Sequence, residues 1–159
     1  MATPDDDPFV ALRPFTSFNF AVEINRGQDA EALVGGSFAE CDGLEMTMEV
    51  KTIREGGGND RMIRLNGPVS YGTLTLKRGM TSSFDLWKWF RDSVADPGLR
   101  ADVEVVLLAT DGATERARFV LTRCVPTKMK APALNAKDGQ IAIEEMQVAY
   151  ETLTFKAPK

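Results

Sequence analysis

The chain has 159 residues, which fits one domain with a core of its own. Lys and Arg number 19 against 23 Asp and Glu, so the formal net charge is −4. The sequence contains no histidine, which excludes Ser-His-Asp and Cys-His catalysis, histidine-ligated metal sites and a histidine pH switch. The acidic balance argues against general nucleic-acid binding, which needs a basic surface. We expect neither a cofactor nor a metal.

The two cysteines, Cys41 and Cys124, lack both the spacing of a redox motif and the number needed for a disulfide framework. We therefore expect both to be reduced and buried. Residues 1–16 hold three Asp and three Pro, which predicts a flexible acidic arm ahead of a single domain over 17–156. We find no Sec-type apolar stretch at the N-terminus and no apolar run near the ~18 residues of a membrane-spanning helix. Folding in the cytoplasm is the expectation.

Strands dominate the predicted elements, because apolar residues recur at every second position over most of the chain. In chain order, the predicted strands are 18–24, 33–41, 44–53, 62–65, 73–77, 102–109, 116–125 and 140–155. The predicted strand 62–65 is expected to end in a turn at residues 66–68. The predicted strands 102–109 and 116–125 are expected to pair through a tight turn at 110–113. A loop over 126–138 precedes the last strand, in which a change of phase predicts a bulge near Glu144.

One helix is predicted between the fifth and sixth strands. A hydroxyl at 81–83 can cap it, Asp85 suits its first turn, and the sequence Asp-Pro-Gly at 96–98 ends it. Four residues at helical spacing are expected to form its core face: Phe84, Trp87, Phe90 and Val94. The layout predicts a mainly β fold, an antiparallel β-sandwich or barrel with one flanking α-helix, because a single helix cannot cover both faces of such a sheet.

We find no catalytic constellation in the sequence. Glu144 and Glu145 are adjacent on a strand, so their side chains face opposite sides and cannot act together. The glycines at 56–58 lack the Lys-Ser/Thr of a phosphate-binding loop, and segment 54–61 is better interpreted as a contact loop. Outward positions on two strands predict a long polar sheet surface: Glu45, Thr47, Glu49, Lys51, Thr73, Thr75 and Lys77. Such a surface fits either the solvated side of a monomer or the wall of an aqueous channel.

Six short motifs in order resemble the tail tube proteins of contractile phages and of phage-tail-like contractile injection systems. They are FNFAVEI at 18–24, FAECDGLE at 38–45, IREGG at 53–57, LTLKRG at 74–79 followed by DLW at 85–87, PTK at 126–128, and LNAK at 134–137 leading to Ile143-Glu144. Together they extend the resemblance over residues 15–155. One departure is the sequence Ala149-Tyr150-Glu151, which stands where many relatives have a His-Glu pair.

The resemblance implies a tail-tube fold and a structural subunit rather than an enzyme. Its members form hexameric rings that stack into a hollow tube. The implied partners are further copies of the chain, a contractile sheath protein, baseplate and tube-terminating proteins, and a luminal cargo of effector protein or DNA, without sequence-specific nucleic-acid binding. After assembly in a bacterial cytoplasm, the subunit would belong to a phage tail or phage-tail-like particle.

The resemblance also implies roles for two groups of residues. The contact loop is expected to meet an adjacent ring or subunit through Arg54, Glu55, Gly56, Gly57, Gly58, Asp60 and Arg61. The outward polar positions become candidates for the lumen wall. Three alternatives stay open: a baseplate tube initiator of the same fold, a small-ligand-binding β-barrel with an apolar pocket, and an enzyme built on a β scaffold.

Overall fold

The computed structural model describes residues 14–26, 32–58 and 61–158, which form a mainly β, antiparallel fold with one helix. The elements in chain order are β1 (Phe20–Asn25), β2 (Ala32–Gly36), β3 (Glu40–Asp42), β4 (Met46–Arg54), β5 (Met62–Tyr71), β6 (Thr73–Gly79), α1 (Asp85–Ala95), β7 (Ala101–Leu108), β8 (Glu115–Lys130), β9 (Ile143–Ala149) and β10 (Thr152–Lys156). The predicted fold class is confirmed at this level.

Eight strands form one sheet, with the order β2-β1-β7-β8-β9-β6-β3 and with β10 paired to β8 beside this path. The strands β4 and β5 pair with each other and form a separate two-stranded sheet. Within the described part of the chain, the end strands β2 and β3 do not pair, so the larger sheet stays open. The single chain is therefore not the closed barrel that was one form of the prediction.

The long strand β8 connects the two halves of the sheet because it contains a bulge. It pairs with β10 and with most of β7 before the bulge, and with Ala101 of β7 and the strand β9 after it. Two residues of β8, Thr122 and Arg123, stand opposite the single residue Asp102 of β7. Arg123 has a φ of 52°, a left-handed value that is uncommon for a residue other than glycine. Its backbone N–H donates to the Asp102 carboxylate at 3.2 Å, which stabilises the bulge.

The core lies between the inner face of the sheet and α1. Alternate residues of five strands supply most of it: Val22, Ile24, Leu74, Leu76, Val103, Val105, Leu121, Cys124, Met146 and Val148. The helix adds Leu86 and Trp89, both buried. Each such large apolar side chain stabilises the fold by about 1.5–3 kcal/mol relative to its exposed state.

The buried face of α1 differs from the predicted one. Phe84 is the N-cap residue and is 60% exposed, and Val94 is 69% exposed. The prediction that these two residues belong to the helix core is wrong. The helix begins after Phe84, and the face that meets the sheet is the one that carries Leu86 and Trp89.

The start of α1 also differs from the prediction, because no hydroxyl caps it. Instead, the carboxylate of Asp85 accepts a hydrogen bond from the backbone N–H of Leu86 at 2.9 Å. Of the two remaining predicted core positions, Phe90 is partly buried against the core. The other, Trp87, is half-buried and uses its indole N–H in the ionic cluster described below.

Four of the predicted strand boundaries are wrong. The predicted strand 33–41 divides into β2 and β3, which lie at opposite ends of the strand order. The strand β5 continues through residues 66–68, which form a bulge rather than a turn. The strand β8 continues past Pro126, whose missing N–H is tolerated because the register shifts directly after it. The predicted last strand divides at Tyr150 into β9 and β10, and the register of β9 against β6 is regular at Glu144.

Both cysteines are free thiols, as predicted, but only Cys124 is fully buried, whereas Cys41 is half-buried. Burial, with a smaller contribution from the charge of Asp42, raises the pKa of Cys41 to about 12. Burial is also the main reason why the pKa of Cys124 rises to about 12, and Asp102 adds to it. We expect iodoacetamide to alkylate both thiols at pH 8.5 about a hundredfold more slowly in the folded chain than in urea. Mass spectrometry of quenched samples measures this, and equal rates would contradict it.

Candidate assembly interface

The hairpin formed by β4 and β5 lies away from the core except at its root, where Tyr71 packs against core residues. Every residue of β4 is exposed, and β5 is exposed except for three half-buried positions. A strand of this length spans roughly 30 Å, so the tip of the hairpin lies far from its root. A two-stranded hairpin by itself is at best marginally stable in water. A partner that covers the hairpin would therefore stabilise it.

The root of the hairpin is fixed to the core by Gly43 and Tyr150. Gly43 has a φ of 94°, and a Cβ atom there would lie 1.9 Å from the carbonyl oxygen of Thr73. The Tyr150 hydroxyl donates to the carbonyl oxygen of Gly43 at 2.7 Å and accepts from the backbone N–H of Glu45 at 3.2 Å. The rings of Tyr71 and Tyr150 pack with centroids 5.8 Å apart. Only glycine fits this close approach of two backbones.

The strand β4 has the predicted alternation of apolar and polar residues, but its apolar side faces no core. Met46, Met48 and Val50 are 57%, 48% and 57% exposed. Exposed apolar side chains that lie together on one strand are typical of surfaces that bind another protein. The sequence predicts a core side and a polar side for this strand. Both sides of β4 are exposed in the described part of the chain, so the prediction of a core side is wrong.

The predicted contact loop is the tip of this hairpin. Arg54 ends β4, Arg61 precedes β5, and both are exposed. The chain turns through glycines, of which Gly57 has a φ of 127°, and the backbone N–H of Gly58 donates to the carbonyl oxygen of Glu55 at 3.3 Å. Asp60, also predicted to make contacts, lies outside the described residues.

The predicted lumen candidates fall on two different sheets. Glu45 precedes β4, and three lie along it: Thr47, Glu49 and Lys51. The other three lie on β6, on the face opposite the buried Leu74 and Leu76: Thr73, Thr75 and Lys77. The register does not bring the two groups onto one continuous sheet, because β4 pairs with β5 alone.

A row of alternating charges crosses the polar face of the larger sheet. Lys130 of β8 stands opposite Glu145 of β9, which stands opposite Lys77 of β6, which stands opposite Glu40 of β3. The Lys77 ammonium nitrogen lies 3.1 Å from a carboxylate oxygen of Glu40. The row holds two positive and two negative residues, so it carries no net charge.

The sequence patterns missed a buried ionic cluster between β6, β9 and α1. Glu144 is fully buried and Arg78 is 5% exposed, and the two are register partners. The guanidinium of Arg78 donates to Glu144 at 2.7 Å and also pairs with Asp85. The indole N–H of Trp87 donates to the second carboxylate oxygen of Glu144 at 2.9 Å. The cluster fastens the start of α1 to the sheet.

The cluster keeps Arg78 charged in spite of its burial. Burial alone lowers the pKa of the guanidinium, but the hydrogen bonds that it donates to Asp85 and Glu144, together with the negative charges of those carboxylates, outweigh the burial and raise the pKa. The guanidinium also lies 5.5 Å from the centre of the Phe38 ring, a cation–π distance. The arrangement stabilises a packing contact, and its two carboxylates are occupied by these partners.

The described residues include a surface groove, but no metal-ligating group. Among residues 14–26, 32–58 and 61–158, we find no group of three His, Cys, Asp or Glu residues placed to hold a metal ion. A groove of about 680 Å³ lies at the surface, along the irregular segment 132–142 that leads into β9. No helix in the described part of the chain is long and apolar enough to cross a membrane.

The fold and sequence match proteins that build tubes. Residues 16–154 match the model of the T4-like virus tail tube protein gp19 family. The chain is similar to solved structures of a PVC sheath–tube complex, an extracellular contractile injection system in the extended state (18% identity, 99% of both chains, TM-score 0.79), and of the anti-feeding prophage baseplate (24% identity, 91% of this chain and 97% of that chain, TM-score 0.77).

A third similar structure is that of the anti-feeding prophage tube-terminating cap (19% identity, 99% of both chains, TM-score 0.78). At these identities, the structural likeness shows the fold alone. By sequence, no curated protein gives a significant match. The family match, by contrast, extends over almost the whole length and confirms the resemblance found in the motifs. The chain belongs to the T4-like virus tail tube protein gp19 family.

Proposed function

We propose that the chain is the inner-tube subunit of a contractile injection system or contractile phage tail. In this proposal, hexameric rings of the chain stack into a hollow tube, a contracting sheath drives the tube through a target envelope, and cargo passes along the lumen. The observation that carries the proposal is the β4–β5 hairpin, whose apolar residues Met46, Met48 and Val50 lie exposed among the residues that the structure describes. Membership of a tail tube family supplies the reason for such a hairpin.

The similar structures support the proposed partners. They come from a sheath–tube complex, a six-fold symmetrised baseplate and a tube-terminating cap, so a sheath protein, a baseplate and a terminating protein are the partners that we propose for this chain. Six-fold symmetry of that baseplate favours six copies per ring. The role is structural rather than enzymatic, and the interfaces between copies carry the function.

Electron microscopy of the purified chain tests the proposal. Stacked rings with six-fold symmetry and an open bore are the expected result, and featureless monomers at assembly concentrations would overturn it. The second candidate, a baseplate tube initiator of the same fold, is favoured by the similarity to a baseplate component. An initiator would give single rings rather than long stacks.

Reversing two charges at the hairpin tip is expected to shorten the tubes. The variant with Arg54→Glu and Arg61→Glu should keep the fold, because both side chains are exposed, and should lose cross-ring ion pairs. Tube length in negative-stain images and the thermal midpoint of the unassembled chain measure the two effects. A matched control reverses Arg91 and Arg116, which are exposed positions outside the hairpin. Normal tube lengths in the hairpin variant would argue against a contact role for these arginines.

A further inference from the structure

Three methionines lie on the hairpin, and the register places them on one face. Met46 and Met48 are two residues apart on β4, and Met62 of β5 stands opposite Arg54 of β4. Arg54 lies an even number of residues from both, on a strand whose alternation is unbroken because the extra residue of the bulge at 66–68 belongs to β5. Directly opposite residues of an antiparallel pair share a face. We name the side that carries Met46, Met48 and Met62 the methionine face.

The methionine face is open to solvent in the single chain, in contrast to the methionines of the body. Met46, Met62 and Met48 are 57%, 55% and 48% exposed. Met146 in the core is fully buried, and Met129 is partly buried against the core. A dissolved oxidant therefore reaches the methionine face more readily than it reaches either of these two side chains.

The reaction open to an exposed methionine is sulfoxide formation by a peroxide. The lone pair of the thioether sulfur attacks one oxygen of hydrogen peroxide, the O–O bond breaks, and an S–O bond forms. A proton moves to the leaving oxygen, which departs as water. The sulfur loses two electrons and the peroxide gains them, so the step needs no further reactant. The side chain changes from apolar to polar, and methionine sulfoxide reductases reverse the change.

The two thiols compete poorly for the same oxidant. Burial is the main reason why the pKa of Cys41 and that of Cys124 rise to about 12. The thiolate is the reactive form of cysteine, and a pKa this high keeps both residues protonated at neutral pH. The methionine face is thus the more accessible target for mild oxidation.

We propose that the methionine face is a site of reversible oxidation, and that sulfoxides on it withhold the chain from assembly. The inference rests on the proposed tube function, in which the hairpin is covered in the assembled state. A sulfoxide buried without a partner for its oxygen lowers the assembled fraction roughly tenfold. Oxidation therefore acts on the unassembled chain, and assembly protects the same side chains by covering them.

Oxidation rates of single methionines test the first half of the proposal. The unassembled full chain is treated with dilute hydrogen peroxide, and mass spectrometry of its peptides follows the gain of one oxygen at each methionine. Met46, Met48 and Met62 should react at least about tenfold faster than Met146, and their rates should fall about tenfold in preformed tubes. Equal rates on the methionine face and at Met146 would overturn the proposal.

Variants at the three positions test the second half. Met46→Leu, Met48→Leu and Met62→Leu together keep an apolar face of similar volume, so this triple variant should assemble normally and resist peroxide. Met80→Leu is the control, because Met80 is 39% exposed but lies outside the hairpin, and it should leave the sensitivity to peroxide unchanged. Replacing the same three methionines with glutamine imitates the polar sulfoxide and should reduce assembly without peroxide. Urea unfolding of each unassembled variant checks the fold.

Assembly of the oxidised chain is the deciding measurement. Peroxide should lower the fraction in tubes, measured by sedimentation and electron microscopy, at least about tenfold. Methionine sulfoxide reductases with dithiothreitol should restore it, whereas dithiothreitol alone, which reduces disulfides, should not. Normal assembly of the oxidised chain or of the glutamine variant, equal peroxide sensitivity of the leucine variant, or recovery with dithiothreitol alone overturns this proposal and leaves the proposed function standing. If the unoxidised chain forms no rings, the proposed function fails and this proposal fails with it.

Discussion

Replacing Gly43 with alanine is expected to destabilise the chain by roughly 3 kcal/mol or more, since the substitution combines backbone strain with an unavoidable clash. The backbone has a left-handed φ of 94°, and the added Cβ atom would meet the carbonyl oxygen of Thr73 at 1.9 Å. That oxygen belongs to the backbone of β6 and cannot rotate away. Urea denaturation of the unassembled chain, followed by circular dichroism, measures the loss.

A matched control for this variant is Gly56→Ala at the hairpin tip. No atom lies within 4 Å of a Cβ placed there, so the free energy of unfolding should change by no more than about 0.5 kcal/mol. Because Gly43 also receives the hydrogen bond of Tyr150, its replacement should displace the hairpin root and reduce tube assembly even where the core stays folded. If Gly43→Ala keeps the stability of the original chain, the backbone at the hairpin root can move enough to accept a Cβ atom, and the prediction is contradicted.

Glu144→Gln is expected to destabilise the chain by about 3–5 kcal/mol, the usual cost of removing one charge from a buried pair. The amide cannot pair with the positive charge of Arg78 as the carboxylate does, and the guanidinium is then left beside Asp85 alone. The neighbouring position supplies the control, because Glu145 lies on the opposite, polar face of the same strand. Glu145→Gln should cost less than about 1 kcal/mol.

A double-mutant cycle tests whether the ionic cluster acts as a unit. Arg78→Met and Glu144→Gln together should be less destabilising than the sum of the two single variants, with a coupling energy of at least about 1 kcal/mol. The physical reason is that the first substitution has already removed the charge that the second would leave unpaired. Strict additivity would mean that each residue is stabilised by separate contacts.

The sequence alone predicts the sheet better than it predicts the helix, and the reason is periodicity. The alternation at 73–77 identifies Leu74 and Leu76 as buried, because a strand has only two faces and one of them is apolar. Around α1, large apolar residues occupy more than one side. The prediction therefore places Phe84 on the buried face of the helix. Packing against the sheet determines which face is buried, and that face carries Leu86 and Trp89.

The residues of the buried ionic cluster follow the alternation of their strands, but the sequence analysis did not assign them to the core because they are charged. Arg78 has the same parity as Leu74 and Leu76 on β6, and Glu144 has the same parity as Met146 and Val148 on β9. Charged residues in phase with a core face are candidates for a buried pair. What the sequence could not supply is the register that places these two directly opposite each other.

The hairpin shows a different limit of sequence analysis. Alternation at Met46 and Met48 indicates a face that avoids water, but the pattern is the same whether the cover comes from the same chain or from another. The residues 66–68 were interpreted as a turn because Asn-Gly-Pro is typical of turns, whereas here the glycine and proline form a bulge inside a strand. The local composition indicates an irregularity at this point of the chain. The pairing with β4 shows that this irregularity is a bulge and not a turn.

The alternating row formed by Lys130, Glu145, Lys77 and Glu40 has a consequence for any solute that moves past this face. Its charges change sign from strand to strand, so the pattern repeats about every 10 Å across the sheet. The electric field of such a pattern cancels within a few ångströms of the surface, unlike the long-range field of a row with a single sign. A polyanion and a polycation would therefore experience nearly the same weak potential along this row. The face has the electrostatic character of a zwitterionic coating, hydrated and polar yet without a preferred counter-ion.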